Sequence, residues 1–298
     1  MRKISYKVFQ NMIAAKLSSL EIDFLLTIAK CQSESGRVTG VYYRDICEEI
    51  ECSYQQFYNL LRSLSQKGII SYKKASYYDY DITILDNSLS CIEERRQGYI
   101  SLSKEMYCKE FQKLRAGSKI LAMELLRRQE IQFKKIQKPS LCFKKSTLYE
   151  RFGNLLGVTK RVLLYYLKEL KAFFAIGMKE GKFYITPLKR SYSEQYGASD
   201  TALLQENDVR ACCRRHRIDP AGYSIAAVRD TARLITQYAQ IALERGMNAG
   251  KVVMKTICDS VDKSSGYTAS KRELQPPLIH RLLRQTLDSY IIPEGCEA

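Results

Sequence analysis

The chain has 298 residues, 45% of them hydrophobic and 27% charged, a composition that favours a folded protein and excludes an intrinsically disordered one. This length exceeds one small hydrophobic core, so we expect two or three domains. No run approaches the ~20 apolar residues of a membrane span. The first residues, MRKISYKVFQ, lack the apolar stretch of a signal peptide. We therefore expect a cytoplasmic protein without a membrane partner.

The formal charge of +16 is unevenly distributed along the chain. Residues 1–100 hold 13 Lys and Arg against 12 Asp and Glu, and residues 201–298 hold 14 against 11. Residues 101–200 hold 21 against 9. The positive excess thus lies in the middle third, which is typical of a region that meets a polyanion. A basic surface that serves only solubility is the alternative.

A unit of sequence occurs twice, with the second copy 106 residues after the first. Residues 46–64 read ICEEIECSYQQFYNLLRSL, and residues 152–170 read FGNLLGVTKRVLLYYLKEL. Their apolar residues coincide at helical spacing, and Ser53 and Thr159 occupy the same N-cap position. Each copy then continues as a predicted β-hairpin, in residues 69–85 and 175–188.

The residues before these helices also repeat. Residues 9–26 read FQNMIAAKLSSLEIDFLL, and they resemble FQKLRAGSKILAMELL in residues 111–126. Each copy therefore predicts a first helix, a short helix, a turn, a second helix and a hairpin. This order resembles the winged helix, which is a helix-turn-helix with a hairpin, or wing, appended. We expect winged-helix domains in residues 1–98 and 99–192.

The second helix of a helix-turn-helix lies in the major groove of DNA, which is wide enough to admit it. The second copy turns one face outward if Leu163, Tyr166, Leu167 and Leu170 pack inward. That outer face carries Lys160, Arg161, Leu164, Tyr165 and Lys168. The same positions of the first copy are Tyr54, Gln55, Tyr58, Asn59 and Arg62. The wings add Lys73, Lys74, Lys179 and Lys182, and we expect all of these residues to contact DNA.

The two outer faces differ in chemistry. Gln55 and Asn59 carry amides that pair with adenine, and Arg62 suits guanine, so the first copy is expected to discriminate among sequences. The second face suits phosphates and is expected to supply most of the salt-sensitive affinity. The cations expected to support it are Lys119, Arg127, Arg128, Lys134, Lys135, Lys144 and Lys145. A solvated helix surface, or a winged helix that binds protein, is the alternative.

The last third of the chain predicts helices only. Residues 193–204 are polar and predict a linker before a helical domain in residues 205–298. Ser224 is expected to cap a helix of about 22 residues that ends at Gly246. Its buried side is expected to carry Ile225, Val228, Ala232, Ile235 and Ala239. Further helices are expected in residues 248–263 and after Pro276-Pro277. This domain would form homo-oligomers, bind a protein partner or brace the winged helices.

No catalytic site, metal site or cofactor is predicted, and we expect no enzyme. The ten cysteines include no CxxC pair, and Cys212, Cys213 and His216 lack a second pair of ligands. Residues 246–252, GMNAGKV, have one residue too few between the glycines for a phosphate-binding loop.

Tandem winged helices of this length, opened by a segment such as residues 9–18, resemble the iteron-binding replication initiators of bacterial plasmids. The resemblance implies two winged helices in successive major grooves and an exchange between dimers and monomers. The helical domain after residue 200 departs from that pattern and suits a transcription regulator equally. The sequence therefore predicts a mainly α protein with small β-hairpin wings that binds double-stranded DNA in the nucleoid, most simply as a transcription regulator. Replication initiation and an architectural or segregation role are the alternatives.

Overall fold

The computed structural model describes residues 3–77, 79–88, 98–138, 140–188, 197–218, 223–264 and 273–289. The protein is mainly helical and contains small antiparallel sheets, which confirms the predicted fold class at this level. No helix in these described ranges is both long and apolar enough to cross a bilayer. The chain forms two compact units. Unit 1 comprises Met1–Val38, Tyr43–Tyr72 and Ile82–Tyr196, and unit 2 comprises Thr39–Tyr42, Lys73–Asp81 and Gly197–Ala298.

The first copy of the repeat alternates helices with short strands. Its elements are β1 (Lys3–Ser5), α1 (Tyr6–Ala14), α2 (Ser19–Ala29), β2 (Arg37–Tyr42), α3 (Tyr43–Ile50), α4 (Tyr54–Gln66), β3 (Ile70–Lys74) and β4 (Asp79–Ile84). The last three strands form one sheet in the order β2-β4-β3. β1 pairs antiparallel with β5 (Tyr99–Ser101), so that Ile4 lies opposite Ile100.

The second copy has the same order of elements. After a 3-10 helix (Lys104–Tyr107) come α5 (Lys109–Gln112), α6 (Ala116–Ile136), β6 (Leu141–Lys144), α7 (Lys145–Leu156), α8 (Lys160–Glu169), a 3-10 helix (Leu170–Ala172), β7 (Phe174–Lys179) and β8 (Lys182–Pro187). The sheet order is β6-β8-β7, equivalent to that of the first copy. Glu180 and Gly181 join β7 to β8 with φ of 50° and 70°, the backbone of a tight hairpin turn.

Each copy contains one strand that the sequence reasoning missed. β2 and β6 run directly into α3 and α7, without an intervening turn residue. Such a strand is short and gives no alternation long enough to separate it from the start of the next helix. In both copies this strand closes the sheet beside the predicted hairpin.

The core of unit 1 is built around α2, which contacts α3, α4 and α6. Its apolar residues Ile22, Phe24, Leu25 and Leu26 are all buried, as expected of a helix that is apolar on every side. The Phe24 ring lies 5.7 Å from that of Phe57 on α4. Because α2 belongs to the first copy and α6 to the second, the two copies share one core.

Lys119 occupies this shared core and is unavailable to phosphates, contrary to the prediction. Its side chain has 0% exposure, and its Nζ lies 2.6 Å from each carboxylate oxygen of Asp23. The same Nζ donates to Ser19 Oγ at 2.7 Å and to the Gln112 carbonyl at 2.9 Å. The sequence predicts Lys119 as a surface cation because its buried partner, Asp23, lies 96 residues away in the chain.

Three further cations on α6 are also engaged within the fold. Arg127 Nε donates to Glu124 at 2.8 Å, and Arg128 forms an ion pair with the same carboxylate, which is fully buried. Lys134 pairs with Glu130 at 2.8 Å. Of the expected supporting cations, Lys134, Lys135, Lys144 and Lys145 are exposed.

The C-terminal part of unit 2 is helical, as predicted. Its helices are α9 (Gly197–Arg215), α10 (Ile225–Gln237), α11 (Ala239–Glu244), α12 (Ala249–Ser264) and α13 (Pro276–Asp288). α9 begins inside the stretch 193–204 that was predicted as a linker, and residues 193–196 lie outside the described ranges. Val209, Val228, Val253 and Ile279 lie in one core, so α9, α10, α12 and α13 pack together.

The predicted helix from Ser224 to Gly246 is interrupted. Ser224 caps it as expected, since its Oγ accepts from the Ala227 N–H at 3.0 Å. The break comes at Tyr238, whose ring enters the core and whose hydroxyl lies 2.7 Å from His280 Nε2. Val228 and Ala232 are buried as predicted and Ile235 is partly buried, whereas Ile225 and Ala239 are exposed.

In unit 2, α9 packs closely against the end of β2. Gly40 has a φ of +64°, and a Cβ there would lie 2.1 Å from the Cβ of Ala211. Arg214 donates to the Gly40 carbonyl at 2.6 Å, and Arg215 donates to Asp81 at 2.7 Å. The close approach requires glycine at residue 40. The end of the β3–β4 hairpin, including Lys73 and Lys74, belongs to the same compact unit as the C-terminal helices.

Candidate nucleic-acid interface

α4 is a well-capped amphipathic helix. Ser53 accepts from the Gln56 N–H at 3.2 Å, and the Gln56 side chain accepts from the Ser53 N–H at 2.8 Å, a reciprocal capping box. Phe57, Leu61 and Leu64 are buried on one side. The opposite side exposes all five predicted residues, which are Tyr54, Gln55, Tyr58, Asn59 and Arg62.

A buried carboxylate fixes the end of α4 to the start of α2. Glu21 accepts from Lys67 Nζ at 2.7 Å and from Ser63 Oγ at 2.6 Å. Burial raises the pKa of Glu21, but the hydrogen bonds from Lys67 and Ser63 outweigh it and lower the pKa below its ordinary value. An ionised Glu21 thus sets the orientation of the exposed face of α4 relative to the core.

The exposed face of α4 is already organised by contacts among its own side chains. Gln55 Nε2 donates to Asn59 Oδ1 at 3.1 Å, so the two amides act as a pair. The ring of Tyr43, from α3, lies 5.0 Å from that of Tyr54 and 6.5 Å from that of Tyr58. Such contacts reduce the rotamer freedom that binding would otherwise remove.

α8 presents the equivalent face in the second copy. Leu163 and Leu167 are buried, Tyr166 is partly buried, and Leu170 is buried in the following turn. The exposed side carries all five predicted residues, Lys160, Arg161, Leu164, Tyr165 and Lys168. Thr159 stands at the N-cap, but its hydroxyl makes no capping hydrogen bond, unlike that of Ser53. The predicted position is right, and the predicted cap interaction is absent.

Two contacts position α8, and the sequence reasoning identified neither. Gly117 of α6 lies beneath Tyr166, and a Cβ at Gly117 would lie 2.4 Å from the Tyr166 ring. The Arg115 guanidinium lies 4.4 Å from the centre of the Tyr165 ring and forms an ion pair with Glu169 at 3.5 Å. Arg115 thus adds positive charge beside the exposed face while it restrains one of its aromatic residues.

The second sheet aligns three lysines in one row. Lys144 lies opposite Lys182 in the β6–β8 pair, and Lys182 lies opposite Lys179 in the β7–β8 pair. All three are exposed. Like charges directly opposite each other destabilise a sheet, so the fold itself gains nothing from this row. Lys179 and Lys182 were predicted as wing cations and Lys144 as a supporting cation, but their alignment in one row depends on strand pairing that the sequence did not reveal.

The wing lysines of the first copy are also exposed. Lys73 and Lys74 occupy the last two positions of β3, and Lys74 Nζ lies 5.4 Å from the centre of the Tyr77 ring. Asp79 and Asp81 on the neighbouring β4 form ion pairs with Arg215 of α9. These arginine contacts compensate the negative charge that would otherwise oppose a phosphate near Lys73 and Lys74.

Comparison with protein-family models finds no match for this chain. Comparisons with curated proteins and with solved structures also find none.

Proposed function

We propose that this protein binds double-stranded DNA through two tandem winged helices and acts as a transcription regulator. In this proposal α4 and α8 are the recognition helices, and β3–β4 and β7–β8 are the wings. The proposal is supported by the equal order of elements and strands in the two copies, which is the order of a winged helix with its three-stranded sheet. It does not require any catalytic residue.

The row formed by Lys144, Lys182 and Lys179 is the observation that carries the proposal. Neighbouring strands lie about 4.8 Å apart, so the row concentrates three positive charges across about 10 Å. A polyanion that binds across the row offsets their mutual repulsion and releases its own counterions. A row of lysines of this kind suits a wing that lies along the phosphate backbone.

The two copies divide the work in this proposal. Lys160, Arg161 and Lys168 of α8 contact phosphates or guanine and provide most of the salt-dependent affinity. On α4, the Gln55–Asn59 pair and Arg62 contact base edges and select the sequence. Because the two faces differ, the preferred site is asymmetric, with half-sites about one helical turn, or ~10 base pairs, apart.

The first experiment tests whether α8 contacts phosphates. The double variant Lys160→Ala/Arg161→Ala is titrated with a random duplex at several salt concentrations, by fluorescence anisotropy. Each phosphate contact contributes about 0.9 to the slope of log K against log salt, so the slope should fall by up to about 2. Arg281→Ala/Arg284→Ala on α13 removes the same charge from exposed positions elsewhere and should leave the slope unchanged. Equal effects of the two double variants would exclude α8 from the interface.

The second experiment tests whether α4 contacts bases. Mapping of the bound sites across the genome first identifies the preferred sequence and its position. Asn59→Ala should then cost about 1–3 kcal/mol on that sequence and little on random DNA. Equal losses on both would show that α4 does not select the sequence. Sites at promoters support a transcription regulator, whereas direct repeats near an origin would replace that role with replication initiation.

A further inference from the structure

Three side chains that commonly bind metals meet inside unit 2. Cys212 lies on α9, His216 follows one turn later, just beyond the end of that helix, and Cys258 lies on α12. The two sulfur atoms and a ring nitrogen of His216 all lie within 4.8 Å of one another. The sequence predicts no metal site at Cys212 and His216, because no second pair of ligands follows them. The missing ligand is a single cysteine, 42 residues after His216.

The backbone of two packed helices holds these ligands in place. Cys212 and His216 are four residues apart, which places them on one side of α9. Cys258 Sγ lies 2.9 Å from His216 Nε2, and it also donates to the Met254 carbonyl at 3.1 Å. Val209 of α9 and Ile257 of α12 are fully buried next to the ligands. The cluster therefore lies at the edge of the core where the two helices pack together.

The separations suit a tetrahedral ion after small adjustments. Zinc binds thiolate sulfur at about 2.3 Å and imidazole nitrogen at about 2.1 Å, so neighbouring ligand atoms of a tetrahedral site lie about 3.6–3.8 Å apart. Ligand atoms that are as much as 4.8 Å apart would approach each other by about 1 Å. Cys258 Sγ and His216 Nε2, now 2.9 Å apart, would separate by slightly less than 1 Å.

We propose that Cys212, His216 and Cys258 bind a zinc ion and leave its fourth coordination position open. Two thiolates and a neutral imidazole balance the charge of Zn²⁺, and the bound ion replaces the two thiol protons. Three protein ligands with one open position are the pattern of zinc sites that accept water or a further ligand. This proposal does not depend on DNA binding.

The three ligands border a cleft that the same helices line. The cleft has a volume of about 530 Å³ and is bordered by all three ligands and by Asp208, which lies one turn before Cys212 on α9. A water molecule in this cleft would complete the coordination. Asp208 accepts from Thr39 Oγ1 at 2.5 Å, so that a ligand in the cleft has direct access to the contact between α9 and β2 in unit 2.

Metal binding by the full-length protein tests the proposal directly. The protein is reduced, stripped with a chelator and titrated with Co²⁺ and then with Zn²⁺. We expect the protein to bind one equivalent of cobalt. The bound cobalt should show the intense visible bands of tetrahedral coordination and the ultraviolet bands of thiolate ligation, and zinc should displace it. Far-UV circular dichroism of every variant, recorded before titration, establishes that the compared proteins are folded.

Single substitutions identify the ligands. Cys212→Ser, His216→Ala and Cys258→Ser should each lower the zinc affinity by more than about 100-fold, because even indirect partners of zinc ligands contribute 10–100-fold. Two matched cysteine variants should keep the full stoichiometry. They are Cys213→Ala, beside Cys212 but outside the cluster, and Cys142→Ser, exposed on β6.

Several outcomes would overturn the proposal. One is a reduced wild-type protein that binds no zinc, and another is a Cys212→Ser/Cys258→Ser variant that binds it with wild-type affinity. Mass-spectrometric identification of a Cys212–Cys258 disulfide, in a protein that binds no metal when reduced, would assign the cluster to thiol oxidation instead. If these ligand variants do not fold, the wild-type protein still decides, because zinc binding without thiolate-to-cobalt bands would equally refute the proposal.

Discussion

The buried ion pair between Lys119 and Asp23 joins the two copies of the repeat and can be tested by one substitution. Lys119→Met keeps most of the side-chain stem but removes the ammonium group. Five acceptors then lose their donor: both carboxylate oxygens of Asp23, the hydroxyl and carbonyl oxygens of Ser19, and the Gln112 carbonyl. Removal of one partner from a buried pair costs about 3–5 kcal/mol, because the other charge remains buried.

This cost should be visible as a large loss of thermal stability. For a unit of this size, 3–5 kcal/mol corresponds to a decrease of about 6–20 °C in the unfolding midpoint, measured by circular dichroism. Lys134→Met is the matched control on the same helix, because its ion pair with Glu130 is exposed and contributes less than about 0.5 kcal/mol. Lys119→Met/Asp23→Asn, which removes both charges, should recover part of the loss. Similar midpoints for Lys119→Met and Lys134→Met would refute the importance of the buried pair.

The same variant has a predictable dependence on pH. Burial raises the pKa of Asp23 to about 6 from an ordinary value of 3.8, while Lys119 acts to lower it. Without Lys119 the folded-state pKa rises further. A carboxyl group whose pKa is higher in the folded state stabilises the fold at a pH below its unfolded-state pKa. This stabilisation is lost as the pH rises through its folded-state pKa. The deficit of Lys119→Met should therefore be smaller near pH 5 than near pH 8, and a constant deficit would contradict an ionised Asp23 as its cause.

Two comparisons between paired positions test the remaining structural arguments. Gly40→Ala should destabilise unit 2 by about 1 kcal/mol because of the positive φ, and by a further amount because the new Cβ collides with Ala211. Gly246 has a similar φ but no atom within 4 Å of an added Cβ, so Gly246→Ala should show only the cost of the positive φ. Equal losses of unfolding free energy would show that α9 does not require close approach at residue 40. Ser53→Ala should cost about 1 kcal/mol because its hydroxyl caps α4, while Thr159→Ala should cost less because its hydroxyl makes no cap bond. Urea denaturation measures both, and a larger loss at Thr159 would contradict the capping assignment.

α9 takes part in both the proposed zinc site and the packing against β2 in unit 2. It carries Cys212, and it also carries Arg214 and Arg215, which hold Gly40, Asp79 and Asp81. A metal ion on Cys212 would fix α9 against α12 and thereby stabilise the same helix that contacts the end of the first wing. The zinc titration and the Gly40→Ala variant therefore test two different contacts of the same helix, α9.

Local patterns in the sequence were sufficient to identify α4 and α8. Ser53 with Gln56 three residues later gives a start signal, and the apolar spacing of Phe57, Leu61 and Leu64 defines one buried face. The exposed face follows from the same spacing, because a helix that buries one side must expose the other. Exposure of every predicted recognition residue on α4 and α8 is thus a consequence of helical periodicity.

The sequence by itself determined these helices, the hairpins, the repeat and the uneven charge, since all of them depend on residues that are near in the chain. Only the tertiary structure decided which charges are available and which ligands meet. Lys119 lies in the core because Asp23 is there, Lys144 joins the wing lysines because β6 pairs with β8, and Cys258 reaches His216 because α12 packs on α9. Each of these contacts joins residues that are 38 or more positions apart in the printed sequence, where no local periodicity relates one residue to the other.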